Sequence, residues 1–190
     1  MSGNSVVFKK LNLKDQTGIA IVNAPASFEP EIASLRGVAV RRSFASGAPL
    51  SFSLAFVTKQ ADVDACTRGT AERTVGDAVV WFAYPKQSSK RYRSEIDRDR
   101  GWDVLGAAGF EPVRMVAIDE DWYAVRFRRV DFIKSLTRGK EHTISTAGKA
   151  KAGARAKSAA KASSKPRSKP PAKRKVTAVR RAAKGARKKK

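Results

Sequence analysis

The sequence has almost none of the residues on which several common kinds of site depend. It contains one cysteine, Cys66, and one histidine, His142. An intramolecular disulfide is therefore impossible, and a zinc site or catalytic triad that needs several such residues is not expected. We interpret Cys66 as a small buried hydrophobic residue and His142 as a solvated residue, because neither has a partner of its own kind.

Long hydrophobic runs are also missing. No run approaches the ~20 apolar residues that a membrane-spanning helix needs. The N-terminal stretch MSGNSVVFKK lacks the apolar core of a signal peptide. We therefore expect a soluble, cytoplasmic protein with no membrane partner, whose oligomeric state the sequence does not indicate.

Negative charge and aromatic rings are absent from the C-terminal end of the chain. The last acidic residue is Glu141 and the last aromatic residue is Phe132, whereas residues 143–190 contain eighteen of the 40 Lys and Arg residues. A segment of this composition has very little apolar surface. Burial of that surface cannot compensate for the conformational entropy that the segment would lose on folding. We therefore predict a folded body over residues 1–137 and a disordered basic tail over residues 138–190.

The basic tail is suited to bind polyanions. Its Lys, Ala, Ser and Pro composition resembles that of the tails of linker histones and of lysine-rich bacterial histone-like proteins, which implies DNA ahead of RNA as the partner. Because the tail has no aromatic rings to stack on bases, we expect it to make sequence-independent contacts with phosphates. A solubilising tail without a dedicated partner is the alternative. The candidate nucleic-acid-binding residues are Lys149, Lys151, Arg155, Lys157, Lys161, Lys165, Arg167, Lys169, Lys173, Arg174, Lys175, Arg180, Arg181, Lys184, Arg187, Lys188, Lys189 and Lys190.

The body shows short apolar runs that alternate with amphipathic stretches. Strands are predicted at residues 18–23, 38–44, 50–57, 77–84, 113–118 and 122–130, and helices at 28–35, 59–74 and 95–108. The run DAVVWFAY is apolar throughout, as expected for a strand covered on both faces. The pattern predicts an α/β, three-layer, Rossmann-like fold, whose mostly parallel sheet of about six strands ends in an antiparallel hairpin.

Short motifs in the body resemble those of known families. The segment LGAAGFEPV at residues 105–113, followed by a strand, a turn and a strand, resembles the C-terminal third of class I methyltransferases. NAP at 23–25, WFAYPK at 81–86 and DEDW at 119–122 resemble the marks of a small bacterial domain family of unknown function. That family is similar to a methyltransferase fold that lacks one strand–helix unit. The resemblance covers roughly residues 11–131 and implies a fold without assigning an activity.

The sequence departs from methyltransferases at the two places where they bind their adenosyl cofactor. A glycine-rich loop is expected after the first strand, but residues 23–27 (NAPAS) contain no glycine. An acidic residue that binds the ribose is expected after the second strand, but Arg41 and Arg42 stand there. We therefore expect no cofactor and no catalytic residues, and we favour a protein that is not an enzyme.

Ligands in such folds bind beyond the carboxyl ends of the strands, near the point where the strand order reverses. Asn23, Tyr84, Lys86 and Asp119 are predicted at this edge and are the candidate residues for a ligand. Lys86 is suited to contact an anion, and Tyr84 to stack or to donate a hydrogen bond, although simple packing of Tyr84 is an equal alternative. For Asp119 and its neighbours 120–121 we favour a hydrated turn over a cation site, because turns are rich in Asp.

The segment KRYR at residues 90–93 places basic residues around an aromatic ring. Such a cluster is suited to phosphate contact and base stacking. Three acidic residues follow within residues 95–99, where they could pair with arginines along a helix face. We favour this self-neutralised helix start over a nucleic-acid contact.

Two functional hypotheses follow from the sequence. The first is non-enzymatic, sequence-independent nucleic-acid binding by the basic tail, with nucleoid association, attached to a degenerate methyltransferase-like domain. The alternative is that the body binds a small anionic ligand, or retains a residual transferase activity, and is localised by the tail.

Overall fold

The computed structural model describes residues 5–45, 47–136 and 142–163, with side chains up to residue 154 in the last segment. The helices are α1 (Val6–Lys10), α2 (Glu29–Ala33), α3 (Gln60–Arg73), α4 (Asp103–Ala107) and α5 (Thr146–Ser163). The strands are β1 (Gly18–Val22), β2 (Ala39–Arg41), β3 (Leu50–Phe56), β4 (Thr74–Pro85), β5 (Phe110–Ala117) and β6 (Trp122–Arg129). Short 3-10 turns lie at Ala26–Phe28 and Val130–Phe132.

The strands form one six-stranded sheet in the order β2-β1-β3-β4-β6-β5. The first four strands are parallel to one another, and β6 is antiparallel to both β4 and β5. This arrangement confirms the predicted α/β fold with a mostly parallel sheet and a terminal antiparallel hairpin. The strand order reverses between β1 and β3, which is the position at which folds of this kind place ligands.

Both faces of the central strands are buried. In β1, Ile19 and Ile21 pack into one core together with α1 and α2, whereas Ala20 and Val22 pack into a second core beneath α3 and α4. The long strand β4 divides its side chains in the same way, because successive residues of a strand point to opposite faces. Trp81 is fully buried, and its indole Nε1 donates a 2.7 Å hydrogen bond to the carbonyl of Leu11. The body therefore has the predicted three layers.

Strand β2 is shorter than predicted, because its pairing with β1 ends at Arg41. Phe44 leaves the predicted strand and packs against α3, where Gly69 makes room for it. A Cβ atom at Gly69 would lie 2.5 Å from the Cβ of Phe44. Glycine has a low helix propensity and weakens α3 at this position, but the packing of Phe44 against the helix requires it.

The helix predicted over residues 95–108 is wrong for its first half. Only Asp103–Ala107 are helical. The Asp97 carboxylate accepts hydrogen bonds from the backbone N–H groups of Asp99 and Arg100, both at 2.8 Å, and Gly101 has φ +99°. Side-chain bonds to nearby N–H groups compete with helical ones, so this segment forms a turn in place of a helix. The segment has no helix face, but two of the expected ion pairs form in the turn, Arg100 with Asp97 at 2.8 Å and Arg98 with Asp99 at 4.0 Å.

The first residues of the predicted basic tail make contacts with the body. Ile144 packs into the core beneath α4, and Ser145 is 1% exposed. The buried Glu111 carboxylate accepts a 2.6 Å hydrogen bond from the backbone N–H of Ser145, immediately before α5 begins. The backbone of this segment finds partners on the body, which composition alone does not reveal. The remaining part of the predicted tail, residues 164–190, lies outside the described residues.

No helix among residues 5–45, 47–136 and 142–163 is both long and apolar enough to cross a membrane.

Candidate functional site

The loop after β1 begins with a residue in an uncommon backbone conformation. Asn23 has φ +56°, a left-handed value that Asn tolerates better than most residues other than glycine. Its Nδ2 lies 3.8 Å from Sγ of Cys66 on α3. Burial, with a smaller contribution from Asp62, raises the pKa of the Cys66 thiol to about 11. Cys66 is 4% exposed, which confirms its interpretation as a buried apolar residue.

The two arginines after the start of β2 have partners within the chain. Arg42 makes a bidentate contact with Glu29, with N–O distances of 2.9 and 2.5 Å. Arg41 donates a 2.6 Å hydrogen bond to the carbonyl of Ala48. Residues 42–49, which follow β2, contain no acidic residue that could accept hydrogen bonds from ribose hydroxyls.

The observed loops do not fit an adenosyl cofactor bound as in methyltransferases. The loop after β1 has Asn23 where close approach of a cofactor calls for glycine, and it continues directly into the 3-10 turn Ala26–Phe28. The loop after β2 presents Arg41 and Arg42. We therefore derive no chemical step through that cofactor.

The segment 86–101, which follows β4, folds back over the carboxyl end of β3. The backbone N–H of Glu95 donates a 2.9 Å hydrogen bond to the Thr58 carbonyl. The Glu95 carboxylate accepts a 3.1 Å hydrogen bond from the backbone N–H of Gln60, the first residue of α3. A carboxylate at this position satisfies one of the free N–H groups of the helix and opposes the positive end of its dipole. The segment thereby covers the helix end beside the strand-order reversal.

The acidic turn 119–121 is held by contacts within the protein. Asp119 Oδ1 accepts hydrogen bonds from the backbone N–H groups of Asp121 and Trp122, both at 2.8 Å. The Asp121 carboxylate, which is largely buried, accepts a 2.8 Å bond from the Ser89 hydroxyl and a 2.7 Å bond from Nε of Arg91. Among the described residues, no group of three His, Cys, Asp or Glu is placed to hold a metal ion. The geometry of Asp119 is that of the turn favoured from the sequence.

The KRYR segment is not the beginning of a helix. Tyr92 packs against Trp122, with ring centroids 4.9 Å apart, and its hydroxyl lies 3.5 Å from the hydroxyl of Ser27. Arg91 pairs with Glu120 at 3.0 Å and also with Asp121. Lys90 is exposed. The aromatic ring of this segment is therefore used in packing, and the arginine beside it is neutralised by the turn.

A cavity of about 370 Å³, here called the tyrosine cavity, opens at the carboxyl end of β4. Its wall includes Tyr84, Lys86, Arg98, Met115 and Tyr123. Tyr84 and Tyr123 face each other across the β4–β6 pairing, with ring centroids 6.2 Å apart. The Lys86 ammonium lies 4.7 Å from the centroid of the Tyr123 ring, within the range of a cation–π contact. A cation and two aromatic faces thus converge on one space.

The hydroxyl of Tyr84 is held in its protonated form. Burial, with smaller contributions from Tyr123 and nearby charges, raises the pKa of Tyr84 to about 12. The hydroxyl lies 3.5 Å from the thioether sulfur of Met115, a weak acceptor. The hydroxyl can donate a stronger hydrogen bond to an anion in the cavity than to this sulfur.

A second cavity of about 290 Å³ adjoins the first and shares Lys86 with it. Arg93, Glu95, Asp97 and Arg100 also line this second cavity. Three cations and two carboxylates line this second cavity, and two cations and one carboxylate line the tyrosine cavity, so each lining has one cation in excess. The tyrosine cavity is the more aromatic of the two, with two tyrosines against one.

The structure brings together only part of the predicted ligand site. Tyr84 and Lys86 line the same cavity, while Asn23 and Asp119 are not among the residues that line either cavity. Sequence reasoning missed Arg98, Met115 and Tyr123. Tyr123 could have been found only from the register that sets it opposite Tyr84.

The candidate residues of the basic tail are described only in part. The ammonium group of Lys151 donates a 3.2 Å hydrogen bond to the carbonyl of Val130 and contacts the carbonyl of Ile133. Lys149 is exposed. Arg155, Lys157 and Lys161 belong to α5, and the other thirteen candidates lie outside the described residues.

No protein-family model matches this chain, and no curated protein matches it. Among solved structures, it is similar to a SAM dependent methyltransferase from Aquifex aeolicus, at 14% identity and a TM-score of 0.48 over 68% of this chain and 90% of that chain. It is also similar to the pyocyanin biosynthetic protein PhzM, at 11% identity and a TM-score of 0.47 over 65% of this chain and 53% of that chain. For the N-methyltransferase NodS from Bradyrhizobium japonicum, the identity is 11% and the TM-score 0.41, over 60% and 85% of the two chains. The assignment of the fold rests on the strand order and directions described above.

Proposed function

We propose that the body binds a small anionic ligand in the tyrosine cavity, and that this ligand combines a phosphate with an aromatic ring, as a nucleotide does. The observation that carries the proposal is the position of the Lys86 ammonium, 4.7 Å from the Tyr123 ring centroid and in the same cavity as Tyr84. A lysine is a point charge suited to a phosphate, and a neighbouring tyrosine ring is suited to stack on a planar group.

The size and charge of the cavity fit such a ligand. Its volume of about 370 Å³ lies within the range of small-molecule sites, roughly 300–1,000 Å³. Lys86 and Arg98 outnumber the carboxylate of Asp97 among its charged lining residues. The protonated Tyr84 hydroxyl adds a neutral hydrogen-bond donor. The cavity lies at the edge of the sheet formed by the carboxyl ends of the parallel strands, beside β4 and β6 and away from the strand-order reversal between β1 and β3.

The proposal is for binding and not for group transfer. The loops after β1 and β2 lack the features that hold an adenosyl cofactor, so we propose no binding of that methyl donor at these two loops. A residual transferase would need a donor bound elsewhere, and we do not assign one.

Calorimetry with the full chain tests the proposal. Adenosine 5′-monophosphate should bind, inorganic phosphate and adenosine should each bind more weakly, and S-adenosylmethionine should not bind. Lys86→Gln should weaken binding of the nucleotide by roughly 10-fold to 100-fold, because a hydrogen bond to a charged group contributes about 1.5–3 kcal/mol.

Lys90→Gln is the matched control for this experiment. It removes the same charge from an exposed position that lines neither cavity. Binding by the control variant should equal that of the wild type. The absence of heat with the wild-type chain, or an equal loss in both variants, would contradict the proposal.

A second candidate function is sequence-independent binding of nucleic acid through the basic tail, with DNA favoured over RNA and nucleoid association as its consequence. The observation in its favour is the charge of residues 143–190, which hold eighteen Lys and Arg and no acidic residue. Such a segment gains affinity for a phosphate backbone by releasing counterions. Ile144 and Ser145, at the start of this segment, contact the body.

A further inference from the structure

Three arginines cluster on the side of β5 and β6 that faces away from α3 and α4. Arg126 is paired in register with Trp81, which packs under α1 and α2, so the two side chains lie on the same face of the sheet. Arg114 is directly opposite Arg126 in the β5–β6 pairing. Arg128 follows two residues after Arg126 and therefore shares its face. We call Arg114, Arg126 and Arg128 the arginine face.

The arginine face is only partly neutralised. Arg128 makes a bidentate contact with Asp77, with both N–O distances at 2.5 Å. Arg114 and Arg126 are like charges at directly opposed positions, a pairing that destabilises a sheet. Burial, together with the positive charges of Arg128 and Arg114, lowers the pKa of Arg126 in spite of the opposing effect of Asp77.

Arg126 also has an unused donor. Its Nε is buried and has no hydrogen-bond partner among the residues that the structure describes. A buried donor without an acceptor is costly, so a donor of this kind gains from an anion that approaches its guanidinium group. Two separate observations, the opposed charges and the unused donor, thus indicate that Arg114 and Arg126 lack a carboxylate partner among the described residues, whereas Arg128 has one in Asp77.

Further positive charge adjoins the face. Arg128 lines a cavity of about 430 Å³ together with Lys134, which is exposed, and Ser135. Residues two apart on a strand are about 6.8 Å apart, and neighbouring strands about 4.8 Å. Cations with this spacing can contact several phosphates of one extended polyanion, whereas a single small anion would reach only part of the face.

We propose that the arginine face binds the phosphate backbone of nucleic acid, as a contact surface of the body in addition to the basic tail. This inference rests on the second candidate function and not on the tyrosine cavity. Positive side chains near an edge strand such as β5 also hinder the pairing of exposed edges. That role alone would leave the affinity for nucleic acid unchanged when the arginines are replaced.

The test compares full-length variants by fluorescence anisotropy with a labelled 20-base-pair duplex over a series of salt concentrations. The double variant Arg114→Gln, Arg126→Gln should reduce the magnitude of the slope of log K against log salt by about 1.8, because each lost phosphate contact removes about 0.9. The control is Arg36→Gln, Arg68→Gln, which removes two charges from exposed positions outside the face. The control slope should equal that of the wild type.

Melting temperatures separate a loss of contact from a loss of fold. The double variant should melt no lower than the wild type, because it removes the repulsion between Arg114 and Arg126. If the double variant melts lower, the anisotropy experiment uses the single variant Arg114→Gln in its place. The expected change in the slope of log K against log salt is then about 0.9. An unchanged slope, or an equal change in the control, would overturn the arginine face as a binding surface.

A tail variant distinguishes this failure from failure of the second candidate function. Lys188→Gln, Lys189→Gln in the full chain should also reduce the slope. If the tail variant reduces the slope and the face variant does not, the tail function stands and the arginine face is overturned. If the wild-type chain does not bind the duplex, both are overturned.

Discussion

The side chain of Asp121 joins the β5–β6 hairpin to the segment that follows β4. It accepts hydrogen bonds from Ser89 at 2.8 Å and from Arg91 at 2.7 Å. Burial alone would raise the pKa of Asp121, but these hydrogen bonds and the positive charges of Arg91 and Lys86 outweigh burial and lower it. The backbone of the same residue holds the strand end that carries Lys86, since the Lys86 N–H donates a 2.7 Å hydrogen bond to the main-chain carbonyl of Asp121.

Replacing Asp121 with Asn should destabilise the protein in a pH-dependent way. Because the pKa of Asp121 is lower in the folded state, its contribution is complete above the unfolded value of 3.8 and is lost as the pH falls through the folded value. Thermal unfolding should therefore show a lower melting temperature for Asp121→Asn at pH 7. The difference from the wild type should shrink below about pH 4.

Asp15→Asn provides the control for this measurement, because it removes one carboxylate from an exposed position. A difference between wild type and Asp121→Asn that stayed constant from pH 7 to pH 2.5 would contradict the role of the ionised carboxylate. It would show that the shape of the side chain, and not its charge, stabilises the hairpin.

At the scale of the element, the start of α5 is held on the body by contacts that the composition of the segment does not predict. The Ser145 hydroxyl donates a 2.5 Å hydrogen bond to the Glu111 carboxylate and accepts a 2.9 Å hydrogen bond from the N–H of Gly148. Ser145 is therefore positioned as an N-cap. A Cβ atom at Gly148 would collide with the Glu111 carboxylate and the Ser145 hydroxyl, so a side chain there would displace these groups.

Replacing Ser145 with Ala should loosen the start of α5. The loss of an N-cap hydroxyl costs about 0.5–2 kcal/mol. Amide hydrogens at residues 148–152 should exchange faster with solvent in Ser145→Ala, and trypsin should cleave faster after Lys151. The exposed Ser135 provides a matched control in Ser135→Ala. Unchanged exchange in Ser145→Ala would contradict the docking of α5 on the body.

The strands were easier to predict than the short helices. The apolar run of β4 and the hairpin of β5 and β6 were found with small errors at their ends. The helix predicted over 95–108 failed, because the Asp97 side chain forms local hydrogen bonds that compete with helical ones. A pattern of apolar spacing does not record that competition.

At the scale of the whole molecule, charge is distributed unevenly along the chain. All 17 acidic residues lie within residues 1–141, whereas residues 143–190 contribute eighteen Lys and Arg. Several arginines of the body, by contrast, are paired with carboxylates, as Arg128 is with Asp77 and Arg42 with Glu29. Long-range attraction to polyanions is therefore expected to come first from the tail and second from the arginine face.

Removal of residues 164–190 should weaken binding to duplex DNA while keeping every residue that the structure describes. It removes thirteen of the eighteen tail cations. If about ten of them contact phosphates in the full chain, the slope of log K against log salt is about −9, and the five that remain can supply at most about −4.5. Anisotropy over a salt series measures both slopes. Equal slopes for the two chains would rule out the tail as the main contact.

The candidate ligand site could be predicted only in part. The position of Lys86 after a central strand follows from the sequence, because Pro85 ends an apolar run. The sequence does not predict that Arg98 and Tyr123 lie beside Lys86. Arg98 belongs to a segment that was predicted to be helical and is not, and the position of Tyr123 depends on the register of β4 and β6. The sequence also predicts Asn23 in the site, but the Nδ2 atom of Asn23 instead contacts Sγ of Cys66.

The sequence by itself determined the fold class, the charge asymmetry and the absence of the methyltransferase cofactor loops. These features depend on hydrophobic periodicity and on residue types at local positions, which can be read without knowing any contact. The tertiary structure alone decided the composition of the tyrosine cavity, the opposition of Arg114 and Arg126, and the packing of residues 142–154. Each of these depends on which residues of distant segments meet, and strand register and side-chain packing set those meetings.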